Sequence, residues 1–274
     1  MATTVPALEV PFSSSPDPTA LHVTPALKAT IHKVQYTIDA RQGLAVVLGD
    51  FGLGKSTLLR YIFARVSALP NNNATFIPTP SFRSSFAMLQ KICSDFEIPP
   101  ARSELAQQEV LEKFLLQQFE AGKNVLLFVD EAQRLKPDQL ELVRTLLNFE
   151  TNTAKLIQVV LAGQLELRDR LLRKRHRALS SRVFAPAVVG PLEFSEMVCM
   201  LRGRCDLHQV HWPFDGDQSL RILYDASGGV PRTALKACQM AYGLMAEAGD
   251  RYIRQESMQQ VLDGLKVLDD DGTE

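Results

Sequence analysis

Four stretches of the chain are apolar with almost no polar alternation: LAVVLG (44–49), ATFIPT (74–79), NVLLFVD (124–130) and LIQVVLA (156–162). Short runs of this kind suit strands covered on both faces, as in a parallel sheet, rather than half-exposed antiparallel strands. A fifth run, VFAPAVV (183–189), is weaker because Pro186 removes one ladder donor. Helical stretches lie between them. KSTLLRYIFARVSA follows the first run, FRSSFAMLQKICSDF follows the second, SELAQQEVLEKFLLQQFEAG precedes the third and PDQLELVRTLLNFE follows it. Strands alternating with helices of this length predict an α/β, doubly wound parallel sheet.

Both ends read differently. Residues 1–20, MATTVPALEVPFSSSPDPTA, are rich in Pro, Ser and Thr and read as an extended lead-in. The next stretch, TPALKATIHKVQYTIDARQG, predicts a helix with Thr24 as N-cap, Pro25 at the first helical position and Gly43 as its stop. Beyond about residue 191 the strands cease. SEMVCMLRGRCDLH, DQSLRILYDAS, PRTALKACQMAYGLMAEAG and RQESMQQVLDGLKVL all carry helical periodicity, with GPLEF (190–194) as the joint. The expected organisation is a lead-in over 1–20, an α/β domain over 21–190, an all-α lid over 191–268 and a solvated acidic tail over 269–274.

Composition narrows the functional classes. With 274 residues and a formal net charge of -1, the chain is long enough for a substantial core and has no global attraction for nucleic acid or anionic membrane. No run of 18 apolar residues is present, so no membrane span is predicted. The N-terminus has neither a basic region nor a long apolar core, and the four cysteines form no CxxC pair. These features point to a cytoplasmic protein with reduced thiols. His208 and His211 have a spacing that could ligate metal but read as loop histidines.

The strongest chemical signal is GDFGLGKST at 49–57, which fits G-x-x-x-x-G-K-[ST] between an incoming buried strand and an outgoing helix. In that setting Gly49, Asp50, Phe51, Gly52, Leu53 and Gly54 curl the main chain so that successive N–H groups meet phosphate oxygens. The helix N-terminus adds its positive end, Lys55 supplies a charge to the outer phosphates, and the hydroxyls of Ser56 and Thr57 lie beside them. Ser56 is a candidate magnesium ligand. The second signal is NVLLFVDEAQRL at 124–135. Its apolar strand delivers Asp130 and Glu131 at the C-terminal end, where open α/β sheets bind ligands. Asp130 suits a Mg²⁺ ligand and Glu131 suits the group that activates a water. Together the two motifs indicate a P-loop nucleoside triphosphatase using Mg²⁺.

The sequence resembles the AAA+ ATPases over most of its length. GDFGLGKST looks like Walker A and LLFVDEA like Walker B. QVVLAGQLEL resembles the strand and turn of sensor 1, which places Gln164 there in lieu of the more usual Asn or Thr. ALSSRV resembles the box carrying an arginine finger, which places Arg182 in that role, with Arg175 and Arg177 as competitors. GGVPRTALKAC looks like the start of the sensor 2 helix, with Arg232 as the sensor. Within the family, the PF…DP…L…P lead-in, DEAQRL, AGQLELRDRL and SGGVPR are similar to the ExeA-like group, which includes secretion ATPases and transposition ATPases of the TnsC and TniB type. The resemblance implies ATP hydrolysis at the interfaces of a homo-oligomer, ring or filament, with an arginine supplied by a neighbour. Arginine near the γ-phosphate of such sites accelerates transfer by roughly 10³–10⁵.

Two regions bear on nucleic acid. RDRLLRKRHR (168–177) holds six Lys or Arg against one Asp, and on a helix Arg170, Lys174 and Arg177 would share one face, with Arg173 nearby. A DNA-backbone or subunit-interface patch and a solvated helix fit it equally. The loop PTPSFRSS (78–85) offers Phe82 and Arg83, either as a channel-facing loop or as a plain connection. The leading expectation is an ATP-dependent oligomer on double-stranded DNA that recruits a transposase. The alternative is an ATPase for assembly of a secretion or envelope complex, without DNA.

Overall fold

The structure is a computed structural model that describes residues 11–266. The acidic tail expected at 269–274 lies outside them. Contacts divide the chain into two units. Of the described residues, one comprises Pro25–Phe51 and Lys55–Gly190; the other comprises 11–24, Gly52–Gly54 and 191–266.

The first unit is the α/β one. Its strands are β1 (Leu44–Leu48), β2 (Asn72–Ile77), β3 (Asn124–Val129), β4 (Ile157–Gly163) and β5 (Val183–Val188), all parallel, in the order β2-β3-β4-β1-β5. The five apolar runs are therefore the five strands. Every residue of β1, β3 and β4 is buried, which is why those runs lack polar alternation. β5 alternates exposed and buried positions, and as an edge strand it accommodates Pro186. Its helices are α1 (Pro25–Asp39), α2 (Lys55–Ser67), α3 (Ser85–Asp95), α4 (Glu104–Glu120), α5 (Pro137–Leu146), α6 (Leu165–Leu171) and α7 (Arg177–Ser180).

Two polar side chains are buried in this unit for a reason. Gln158 accepts from the Gly43 N–H at 2.7 Å and donates to the Lys155 carbonyl at 2.9 Å, while Asn124 donates to the Ile38 carbonyl at 2.8 Å. Each satisfies main-chain groups where a loop passes beneath the sheet. On one side of the sheet Phe63, Phe76 and Phe128 form an aromatic cluster with centroids 5.3–6.5 Å apart.

Two local expectations are corrected. Helix α1 stops at Asp39, and the residue in left-handed conformation after it is Arg41 (φ 51°), not Gly43 alone. Arg41 is held there by its guanidinium, which donates to the Lys123 carbonyl and lies over the Phe119 ring. The basic segment 168–177 is not one helix. α6 ends at Leu171, Arg173 is extended, and a short 3-10 turn (Lys174–His176) leads into α7. Leu171, His176 and Leu179 are buried, while Arg173, Lys174, Arg175 and Arg177 are exposed.

The second unit is helical: α8 (Phe194–His208), α9 (Gln218–Ser227), α10 (Pro231–Ala248) and α11 (Gln255–Lys266). Met197, Leu201, Leu223, Ala237, Cys238 and Met258 sit in its core. Phe12 is in the same core, fully buried, edge-on to Tyr242, with its N–H donating to Gln239 Oε1 at 3.0 Å. By its contacts the described part of the lead-in, residues 11–20, groups with the helical unit, as do residues 21–24.

Candidate nucleotide-binding site

The sheet order places β1 and β3 on either side of β4, and the register aligns their ends. Leu48 pairs with Gly163, and Val129 pairs with Leu161. The loop leaving β1 and the acids leaving β3 therefore emerge at one edge, flanking the end of β4. This follows from the parallel strand order alone.

The β1 loop runs from Gly49 to Gly54 and opens α2 directly at Lys55. Gly54 has φ +86°, and nothing lies within 4 Å of where a Cβ would stand. Conformation rather than crowding demands glycine there, and the space beside the main chain stays open. Lys55 is only 6% exposed, and its Nζ donates to the Asp50 carbonyl at 2.7 Å. The first N–H groups of a helix of 13 residues, together with a buried ammonium, make an anion site. Phe51 and Asp50 stand at the exposed side of this loop, and Thr57 is half-buried in the first turn of α2.

Asp130, the residue after β3, is 3% exposed. Burial pushes its carboxyl above the ordinary range, opposed by hydrogen bonds from the Ser56 hydroxyl and the Glu131 N–H and by the charge of Lys55. The Glu131 N–H donates to Asp130 Oδ1 at 2.9 Å. A hydroxyl and a carboxylate in direct contact beside a lysine are the hard oxygen donors a small divalent cation selects, so Ser56 and Asp130 fit magnesium. Glu131 lies in the left-handed region (φ 52°, ψ 36°), which costs a residue with a Cβ about 1–2 kcal/mol.

The structure brings Gln164 to the same edge, at the N-cap of α6. Between it and Glu131 stands Gln133, which the motif-based reading passes over. Its Nε2 donates to Glu131 Oε2 at 2.6 Å, and its Oε1 accepts from the Gln164 N–H at 3.1 Å. Only an amide side chain two places after an acid in a tight turn signals this in the sequence.

The arginines divide. Arg182 precedes β5 and donates to the Arg144 carbonyl, near the end of α5, at 2.6 Å. Arg173, Lys174, Arg175 and Arg177 are exposed. Arg170 differs from the shared-face expectation: it is turned inward, its guanidinium donating to the carbonyls of Gln133 and Leu135. Arg83 is exposed, on a loop whose carbonyls at Phe82 and Arg83 accept from Gln139 and Lys136. In the helical unit Arg232 is exposed in the first turn of α10, and its N–H donates to the Gly52 carbonyl at 3.2 Å.

A family model for an AAA domain matches residues 38–171. General secretion pathway protein A of Aeromonas hydrophila is 31% identical over 235 residues. The chain belongs to the AAA+ family. The match to the Aeromonas protein covers 85% of this AAA+ chain but 42% of the relative, so the chain spans about two fifths of that protein's length. Among solved structures, the ORC2 protein of Aeropyrum pernix in ADPNP-ADP complexes superposes with a TM-score of 0.70 at 15% identity, covering 93% of this AAA+ chain and 70% of that one. The ORC1 protein of the same organism, in complex with DNA, gives 0.68 at 15% identity, covering 93% and 69%. At these identities the structures establish the AAA+ fold: a five-stranded parallel P-loop sheet with flanking helices and a helical C-terminal region. No helix among the described residues of this AAA+ protein is long and apolar enough to cross a membrane.

Proposed function

We propose that this AAA+ protein binds and hydrolyses ATP. The observation that carries the reading is the meeting of buried Lys55, Ser56 and buried Asp130 at one sheet edge, with Glu131 beside them. Lys55 and the loop amides grip the outer phosphates, and Glu131 orients a water and takes its proton as that water attacks the γ-phosphorus and the bond to the β–γ bridging oxygen breaks, so that ADP and phosphate leave. Magnesium, when bound, would be held by Ser56 and Asp130 and would neutralise charge on the phosphates. Gln164 and Arg232 report on the γ-phosphate, and Arg182 of a neighbouring subunit stabilises the charge that develops there, after leaving the Arg144 carbonyl. Lys55→Ala should abolish hydrolysis. Mixing Lys55→Ala with Arg182→Ala subunits should recover part of it at the mixed interfaces. No recovery in any mixture would overturn the shared site.

At the level of biology, the proposed role is an ATP-dependent oligomer on duplex DNA that recruits a transposase. Its support is the exposed cluster Arg173, Lys174, Arg175 and Arg177, joined by Arg83. A second reading, assembly of a secretion or envelope complex, is favoured by the similarity to a general secretion pathway protein. A gel shift with an ATP analogue separates them. The DNA role requires duplex binding that weakens steeply with salt, and no shift at about 50 mM salt would leave the secretion reading.

A further inference from the structure

We infer that Gln133 is a positioning residue for Glu131, coupling it to the end of β4. This rests on the hydrolysis reading above. The hydrogen-bond chemistry fixes the orientation of its amide. The Gln164 main-chain N–H can only donate, so Gln133 Oε1 faces it at 3.1 Å. Gln133 Nε2 must then face the Glu131 carboxylate, which it does at 2.6 Å. The Glu131 carboxylate is thereby held by a donor whose other end is tied to rigid main chain. A bond to an ionised acceptor is among the stronger hydrogen bonds.

The rest of the turn is built to keep that amide still. Gln133 lies in a 3-10 turn (Ala132–Arg134) immediately after the left-handed Glu131. The Gln133 carbonyl and the Leu135 carbonyl both accept from Arg170, which lashes the turn to α6. Gly163, the last residue of β4, provides the space: a Cβ there would meet Gln133 Oε1 at 3.0 Å and Leu167 Cδ2 at 2.8 Å. Glu131 is thus held at a set position by one side chain that also contacts the turn entering α6. A change at Gln164 or along α6 reaches the carboxylate through two hydrogen bonds.

Two variants test this, each with steady-state kinetics, affinity for a fluorescent ATP analogue and melting temperature. Gln133→Ala removes both bonds. Gln133→Glu keeps the length and the acceptor for the Gln164 N–H but loses the donor and sets a like charge beside Glu131. Both should lower kcat roughly ten- to hundredfold, the size of effect a misplaced reacting group produces. Nucleotide affinity should change by less than about threefold, because uniform binding is untouched. In a Glu131→Gln background, single-turnover rates should fall no further on adding Gln133→Ala, since the group it positions is already gone. Gln133→Glu with wild-type kcat would show that only the β3–β4 connection matters and would overturn the inference alone. So would an equal loss in the Glu131→Gln background, or a loss confined to KM. A wild-type chain that binds ATP without hydrolysing it overturns the functional reading and this inference together.

Discussion

A lysine and an aspartate, each almost wholly removed from water, are tolerated in this chain only because their charges lie near each other and near hydrogen-bond donors. That those two residues meet was legible in the sequence, since the expected phosphate site sets them directly after the ends of two buried strands. Gln133 was not, because its value depends on Glu131 adopting a left-handed turn and on the β4 end lying within reach. The inward turn of Arg170 was equally hidden, since nothing in a basic run says which guanidinium finds carbonyls. The thiols give a direct test at this scale. All four are free, with Cys199 exposed and Cys93, Cys205 and Cys238 buried. Burial pushes Cys93 and Cys205 up to about 11, and Cys238 higher still. In a thiol-reagent assay at pH 8, one thiol should react rapidly and the other three only after denaturation. The sign for stability follows. Folding favours the protonated thiols, so their contribution is intact below the ordinary thiol value of about 8.5 and declines as pH rises towards about 11.

At the level of elements, the strands were readable and the helix ends were not. A strand covered on both faces must be apolar throughout, so β1, β3 and β4 announce themselves. The end of α1 depends on Arg41 meeting Lys123 and Phe119, and the break after α6 depends on which of Leu171, His176 and Leu179 find cover. Such partners are distant in sequence, so local periodicity cannot supply them. Strand β3 carries much of the packing, with Phe128 fully buried between Phe63 and Phe76. Phe128→Ala should destabilise the α/β unit by about 3–5 kcal/mol, visible as a lower urea midpoint. A shift below about 1 kcal/mol would mean that the cluster closes over the gap.

For the whole molecule, the point where the strands stop was legible in the sequence, and contacts divide the chain near it into an α/β part and a helical part. The allegiance of the lead-in was not, because a Pro- and Ser-rich segment gives no periodicity from which to read a packing partner. Among the described residues Phe12 anchors it, through burial against Tyr242 and a main-chain bond to Gln239. Phe12→Ala should lower the stability of the helical unit by about 3–5 kcal/mol and increase its proteolysis. The α/β unit should keep its protection, and equal loosening of both would contradict the assignment.

The bond between Phe12 and Gln239 joins positions 227 residues apart. As the chain leaves the ribosome, the α/β unit is complete once residue 190 has emerged, and it can fold with its own partners in hand. The segment around Phe12 is made before that unit yet has nothing to pack on until α10 follows. It must wait, with a large aromatic ring unburied, until the residue 227 places further on has been made, so helices built long afterwards decide when this segment finds its place.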